Sequence, residues 1–225
     1  MSDTPQPAAV GLLEALRRSP AAHGLLLALF AMVSALSLSL SEEMTRDAIA
    51  ARAAEDLNAA LDQVIPRTIR DNDPSAAQRT LADEAEGPVT VFLAARESRV
   101  SAVAFELTGQ GYAGAIRVLM AVAPDGRLLG VRVLAHAETP GLGDKIEVEK
   151  DDWILAFDGR ALGDPGPEGW KVQRDGGIFD QFSGATITPR AVVATVHRGL
   201  TFFDRHRTAL LAPLPSRERN PEEQS

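Results

Sequence analysis

The chain has 225 residues, 45% of them hydrophobic, and a formal net charge of −8. That length suits one domain of ordinary size plus an anchor, while the acidic balance and an aromatic content of only 5% argue against a basic nucleic-acid face or a base-stacking platform. There is no cysteine, which excludes disulfides, thiolate-ligated iron–sulfur clusters, haem attached through cysteine and a thiol nucleophile.

His23, His136, His197 and His206 are scattered and show no metal-ligand spacing. Redox work by such a chain calls for an organic cofactor.

Residues 21–40 carry no Asp, Glu, Lys or Arg. About 20 apolar residues span a bilayer core as a helix. Arg17 and Arg18 precede this stretch and Glu42 and Glu43 follow it. The positive-inside bias places residues 1–20 in the cytoplasm and everything after Ser41 on the far side. A cleaved signal peptide has the same charge order, but its apolar region is about 7–15 residues long, and Ser37-Leu38-Ser39 is a weak cleavage site. Either way the remainder of the chain is exported.

Residues 45–65 have a helical composition, ended by Pro66, and extend the anchor helix or pack on the domain. Residues 71–85 are polar and helix-compatible, with Asp73-Pro74 as a turn start. Residues 89–92 and 100–107 read as strands, rich in valine and phenylalanine. Residues 109–114 read as a loop. Residues 116–123 and 128–135 form the clearest β-hairpin, around Pro124-Asp125-Gly126.

Residues 138–144 form a second loop, 151–159 a short amphipathic piece, and 162–169 a Gly/Pro-rich loop. Residues 170–173 read as a short strand, followed by a turn at 175–177. The best soluble helix follows, with Thr188 as N-cap and Pro189 at the first helical position. Val193, Val196, Leu200 and Phe203 fall on one face, and Arg205-His206-Arg207 suit the last turn. Residues 213–225 are polar and read as a disordered tail.

The expected organisation is a transmembrane helix at 21–40, a helical connector at 41–88 and an exported domain at 89–212. The fold class is α+β, an antiparallel sheet with flanking helices preceded by one N-terminal transmembrane helix. No internal repeat is evident.

Ser183-Gly184-Ala185-Thr186 places a threonine hydroxyl on a glycine-opened turn just before that last helix. The first N–H groups of a helix lack partners and attract a phosphate. A hydroxyl there suits hydrogen bonding to a phosphate or esterification by one, and a plain capped turn is the other reading. The residue chemistry alone does not choose between them.

The longer run Asp180-x-x-Ser183-Gly184-Ala185-Thr186 resembles the flavinylation motif of FMN-binding domains. Gly111-Tyr112-x-Gly114-x-Ile116, the run from Glu138 through Thr139, Gly141, Leu142, Gly143 and Lys145 to Ile146, and Asp152-Trp153 add to the likeness. So do Asp175-Gly176-Gly177-x-Phe179-Asp180-Gln181 and Thr186-Ile187-Thr188-Pro189-Arg190. Together they are similar to the G subunit of the Rnf electron-transport complex, over roughly residues 111–203. The flavin-carrying C subunit of the sodium-translocating NADH:quinone oxidoreductase is a relative. No family signature is evident over residues 45–99.

The resemblance implies that FMN is joined through its phosphate to Thr186 by a flavin transferase that uses FAD, with Asp180 read by that transferase or binding its Mg²⁺; a structural cap is the other reading of Asp180. It implies that backbone at Thr139 and Gly143 and the side chain of Leu142 hold the isoalloxazine ring. Glu138 and Gly141 belong to the same loop, Lys145 steadies the reduced flavin, and Tyr112 packs on the ring or covers the sheet edge. Trp153 and Trp170 are core residues, and His136 and His197 are packing or surface histidines.

The implied role is an electron carrier without substrate turnover of its own, in a complex that couples electron flow to ion movement. Its partners are membrane lipid, other integral-membrane and redox subunits, and the transferase. The expected location is the bacterial inner membrane, with the C-terminal domain in the periplasm. A single apolar helix without an acidic residue builds no ion path, so pumping resides in other subunits. The rival readings are an electron-transfer subunit of a quinone or periplasmic reductase, and a membrane-anchored scaffold or sensor.

Overall fold

The computed structural model describes residues 19–214. Arg17, Arg18 and nearly all of the expected tail lie outside the described residues. The chain divides into two compact units, one ending at Ala54 and one starting at Glu55.

Helix α1, Pro20–Val64, is 45 residues long, roughly 68 Å at about 1.5 Å per residue. It is long and apolar enough to cross a membrane, and none of its most apolar window is buried. The helix continues past the apolar stretch through Ala-rich sequence, as the composition of residues 45–65 predicts. In the second unit its last turns bury Ala60, Leu61 and Val64 against the sheet.

The sheet has five antiparallel strands in sequential order: β1 Gln78–Asp83, β2 Gly87–Arg96, β3 Arg99–Gln110, β4 Ala115–Val122 and β5 Leu128–Ala135. Residues 71–85, read from sequence as helix-compatible, instead form a 3-10 turn at Pro74–Ala76 and the edge strand β1. The sheet therefore begins inside the stretch read as a helical connector. β1 is polar, and its pairing with β2, Leu81 opposite Val89 among others, decides its conformation. Tertiary pairing outweighs a weak local preference here.

Each face of the sheet has its own cover. Val91, Leu93, Val103, Phe105, Val118 and Met120 face helix α2, Ile187–Leu210. Phe105 meets Phe202 edge-on at 5.0 Å. Phe92, Ala94, Ala102, Ala104, Leu119 and Ala121 face the end of α1. The four alanines present little bulk, which lets the helix end approach closely.

An aromatic group fills the region between the sheet and the loops after β5. Asp152–Phe157 is a 3-10 helix that buries Trp153, Ile154 and Phe157. Phe157 stacks on Phe179 at 4.5 Å and on Trp170 at 6.3 Å. Both tryptophans are core residues, as read from sequence. Residues 170–173 are not a strand: Val172 makes a single bridge to Phe179, and Gln173–Asp175 turns as a 3-10 helix.

The β1–β2 hairpin is pinned to α2 through Asp83. Its carboxylate accepts from His206 at 2.8 Å, from Arg205 at 2.9 Å and from the N–H groups of Ala85 and Glu86. Burial opposes its ionisation, but the His206 bond, the Glu86 N–H, Arg205 and the Ala85 N–H outweigh burial and hold the carboxyl well below the usual range. A carboxyl lowered in the folded state contributes stability above its unfolded value of about 3.9 and loses it as pH falls further. The melting temperature of Asp83→Asn is therefore lower than wild type at pH 7, and the gap narrows as pH falls below about 4. Thermal scans from pH 7 to pH 3 check this; a constant gap contradicts it.

Candidate functional site

Three segments meet at a cleft of about 480 Å³. Tyr112 comes from the β3–β4 loop. Glu138, Thr139, Leu142 and Gly143 come from the loop after β5. Gly184, Ala185, Thr186, Ile187, Thr188 and Arg190 come from the turn into α2. The volume lies within the ordinary range of ligand pockets, about 300–1,000 Å³.

The turn is built on an aromatic anchor. Phe182 is buried and meets Trp153 edge-on at 5.2 Å. The Trp153 indole N–H donates to the Asp180 carbonyl at 2.9 Å. Ala185 N–H donates to Phe182 O, and Gly184 between them has φ of +84°. Only glycine adopts that value without strain.

Thr186 sits at the N-cap position of α2, half-buried, and its side chain makes no capping hydrogen bond. The helix starts at Ile187, two residues before the expected first helical residue, Pro189. Thr188 is therefore not the N-cap. It is fully buried, and its hydroxyl donates to Glu138 Oε2. Nothing local in the sequence announces that partner, which lies fifty residues earlier.

In the loop after β5, the N–H groups of Leu142 and Gly143 both donate to Thr139 O, at 3.1 and 3.0 Å. The Gly143 N–H is thus held within the loop. The loop's exposed apolar contribution to the cleft is the Leu142 side chain, 45% exposed. Gly141 N–H donates to Asp144 Oδ1 at 2.7 Å, and Lys150 pairs with Asp144 Oδ2 at 2.8 Å. The Lys150 hydrogen bond, the Gly141 N–H and the Lys150 charge outweigh burial and hold the Asp144 carboxyl below its usual range.

Of the residues singled out from sequence, Tyr112, Glu138, Thr139, Leu142, Gly143, Gly184, Ala185 and Thr186 share this cleft. Gly141, Lys145, Asp180 and Ser183 line a second cleft of about 600 Å³ beside Trp153 and Phe182. Lys145 and Asp180 are exposed there. Arg190 and Ile187 belong to the first cleft, although sequence gave neither a binding role. Arg190 pairs in two-pronged fashion with Asp175 at 2.6 and 2.7 Å. That pairing is the main cause that lowers the Asp175 carboxyl from its ordinary value. His197 packs against Trp170 at 5.6 Å, and burial pushes its imidazole down, favouring the neutral form.

The donor set fits a flavin phosphate. A hydroxyl free of capping duty stands at a helix N-terminus, where N–H groups and the dipole favour an anion. Tyr112, Leu142 and Ile187 give the same cleft exposed apolar surface for a flat ring.

Comparison with known proteins defines the class first. Residues 111–201 match the FMN-binding domain family, and residues 17–64 match the RnfG N-terminal region. The chain is 66% identical over 215 residues to the G subunit of the ion-translocating oxidoreductase complex of Cereibacter sphaeroides, covering 96% of this chain and 98% of that one. The corresponding protein of Pseudomonas aeruginosa is 47% identical, over 88% and 95% of the two chains. A solved NqrC from Shewanella oneidensis aligns with a TM-score of 0.45 at 25% identity, over 65% of this chain and 73% of that one. The chain belongs to the G-subunit family of ion-translocating oxidoreductase complexes.

Proposed function

We propose that this protein holds FMN covalently through its phosphate on Thr186 and relays electrons inside a membrane-bound, ion-translocating complex. The observation that carries this reading is the Thr186 hydroxyl, free of capping duty at the start of α2 and opening on a cleft with apolar walls. FMN supplies one- or two-electron transfer when bound. The residues of this chain hold and orient it. Thr186 provides the ester oxygen, the helix start stabilises the phosphate charge, and Leu142 and Tyr112 give the ring apolar surface.

Attachment is the work of a flavin transferase that reads Asp180 through Thr186. The Thr186 Oγ–phosphorus bond forms, the pyrophosphate bond of FAD breaks, AMP leaves and the hydroxyl proton is lost. Asp180 and Ser183 are exposed on the side of the second cleft, which leaves them open to such an enzyme.

The apolar part of α1 anchors the chain in the bacterial inner membrane. Arg17 and Arg18 before it and Glu42 and Glu43 after it support a periplasmic domain. A covalent tether prevents loss of FMN outside the cytoplasm and keeps it at high effective concentration near its redox partners. Those partners are the other membrane and redox subunits, which also move the ion.

In-gel flavin fluorescence under denaturing conditions tests the reading, after co-expression with the transferase. Wild type gives a fluorescent band and Thr186→Val gives none. A surviving band in Thr186→Val refutes the assignment.

A further inference from the structure

We propose that Glu138 is the positioning residue of the flavin cleft, a buried carboxylate that joins the three segments forming its walls and sets their spacing before the flavin arrives. The inference rests on the FMN reading of the cleft given above. Glu138 is only 4% exposed. Its Oε1 accepts from Ala113 N–H at 3.0 Å, which fixes the loop bearing Tyr112. Its Oε2 accepts from the Thr188 hydroxyl, which fixes the first turn of α2 beside Thr186. Its own N–H donates to His136 Nδ1 at 3.0 Å. That leaves the imidazole proton on Nε2, which donates to Glu147 at 2.9 Å.

Two glycines far apart in sequence make room for this one side chain. A methyl on Gly111 would lie 2.4 Å from Glu138 Oε1. A methyl on Gly143 would lie 2.9 Å from Glu138 Cβ and 3.1 Å from both Glu138 Oε2 and Thr188 Oγ1. Glu138 is thus a close neighbour at both positions, joined at Gly111 by Ile116, whose Cδ1 would lie 2.6 Å from that methyl. A carboxylate is an acceptor at both oxygens, and two donors from different segments converge on it. Glutamine can keep the geometry, because its oxygen accepts from Ala113 while its amide donates to a turned Thr188 hydroxyl. Alanine keeps neither bond.

The test uses the full-length protein as wild type, Glu138→Ala and Glu138→Gln, each expressed with and without the flavin transferase. Without the transferase, hydrogen exchange of residues 111–114 reads the wall alone. Glu138→Ala speeds that exchange about tenfold, the worth of one hydrogen bond, and Glu138→Gln restores it. With the transferase, Glu138→Ala retains the flavin ester but lowers the flavin's visible circular dichroism and fluorescence anisotropy, and Glu138→Gln restores both.

Wild-type exchange at 111–114 in folded Glu138→Ala overturns the proposal, and so does an unchanged flavin signal. Should Glu138→Ala not fold, Thr188→Val and Thr188→Ser read the other arm. Valine lowers the flavin signal and serine restores it, and an unchanged signal in Thr188→Val overturns the proposal. Failure of the FMN reading shows separately, as absence of covalent flavin in wild type, and the exchange arm then still decides the role of Glu138.

Discussion

Thr186→Val loses covalent flavin completely and keeps its melting temperature within about 2 °C of wild type. The two outcomes separate because the Thr186 hydroxyl makes no capping bond and its side chain is only half-buried. The neighbouring threonine behaves in the opposite way. Thr188→Val keeps the ester on Thr186 but is destabilised by about 1–3 kcal/mol, because a buried Glu138 oxygen loses its donor. Intact mass and denaturant unfolding of the two variants measure both effects. Flavin on Thr188 in the Thr186→Val protein contradicts this assignment of roles, since a fully buried hydroxyl already held by Glu138 is closed to a transferase.

Phe157→Ala has the largest expected effect on stability, about 3–5 kcal/mol. Phe157 is fully buried, stacked on Phe179 and set edge-on to Trp153 at 5.4 Å. Trp153 in turn supports the flavin turn, through the Asp180 carbonyl and the Phe182 ring. Removing Phe157 therefore reaches the site as well as the core. Covalent flavin in Phe157→Ala falls in step with the folded fraction, while Phe157→Leu, which keeps most of the volume, loses much less of both. Denaturant unfolding of the full-length protein, with flavin fluorescence measured on the same samples, checks the link. Full flavinylation of a strongly destabilised Phe157→Ala protein argues that the turn forms without its aromatic support.

The parts of the fold legible in sequence are those with strong local signals. Residues 128–135 carry dense apolar character after Pro124-Asp125-Gly126, and β5 occupies that same range. β1 is not legible because Gln78, Arg79, Thr80 and Asp83 are polar, and only pairing with β2 makes them a strand. The start of α2 lies two residues earlier than expected for a similar reason. Thr188 before Pro189 has the look of an N-cap, but a distant carboxylate claims its hydroxyl.

The motif points to Thr186 and to most of the residues that share its cleft. It does not separate Gly141, Lys145, Asp180 and Ser183 from them, because that division depends on Phe182 turning inward onto Trp153. Nor does it show that the Gly143 N–H folds back onto Thr139, since two glycines in a loop do not fix where backbone donors point.

The covalent site is tested most directly by peptide mapping of the wild-type protein after co-expression with the flavin transferase. Cleavage after Arg174 and Arg190 releases a single peptide that contains Ser183, Thr186 and Thr188. Fragmentation of that peptide is expected to place the mass of FMN, less one water, on Thr186 alone. An unmodified peptide, or FMN on Ser183 or Thr188, contradicts the account.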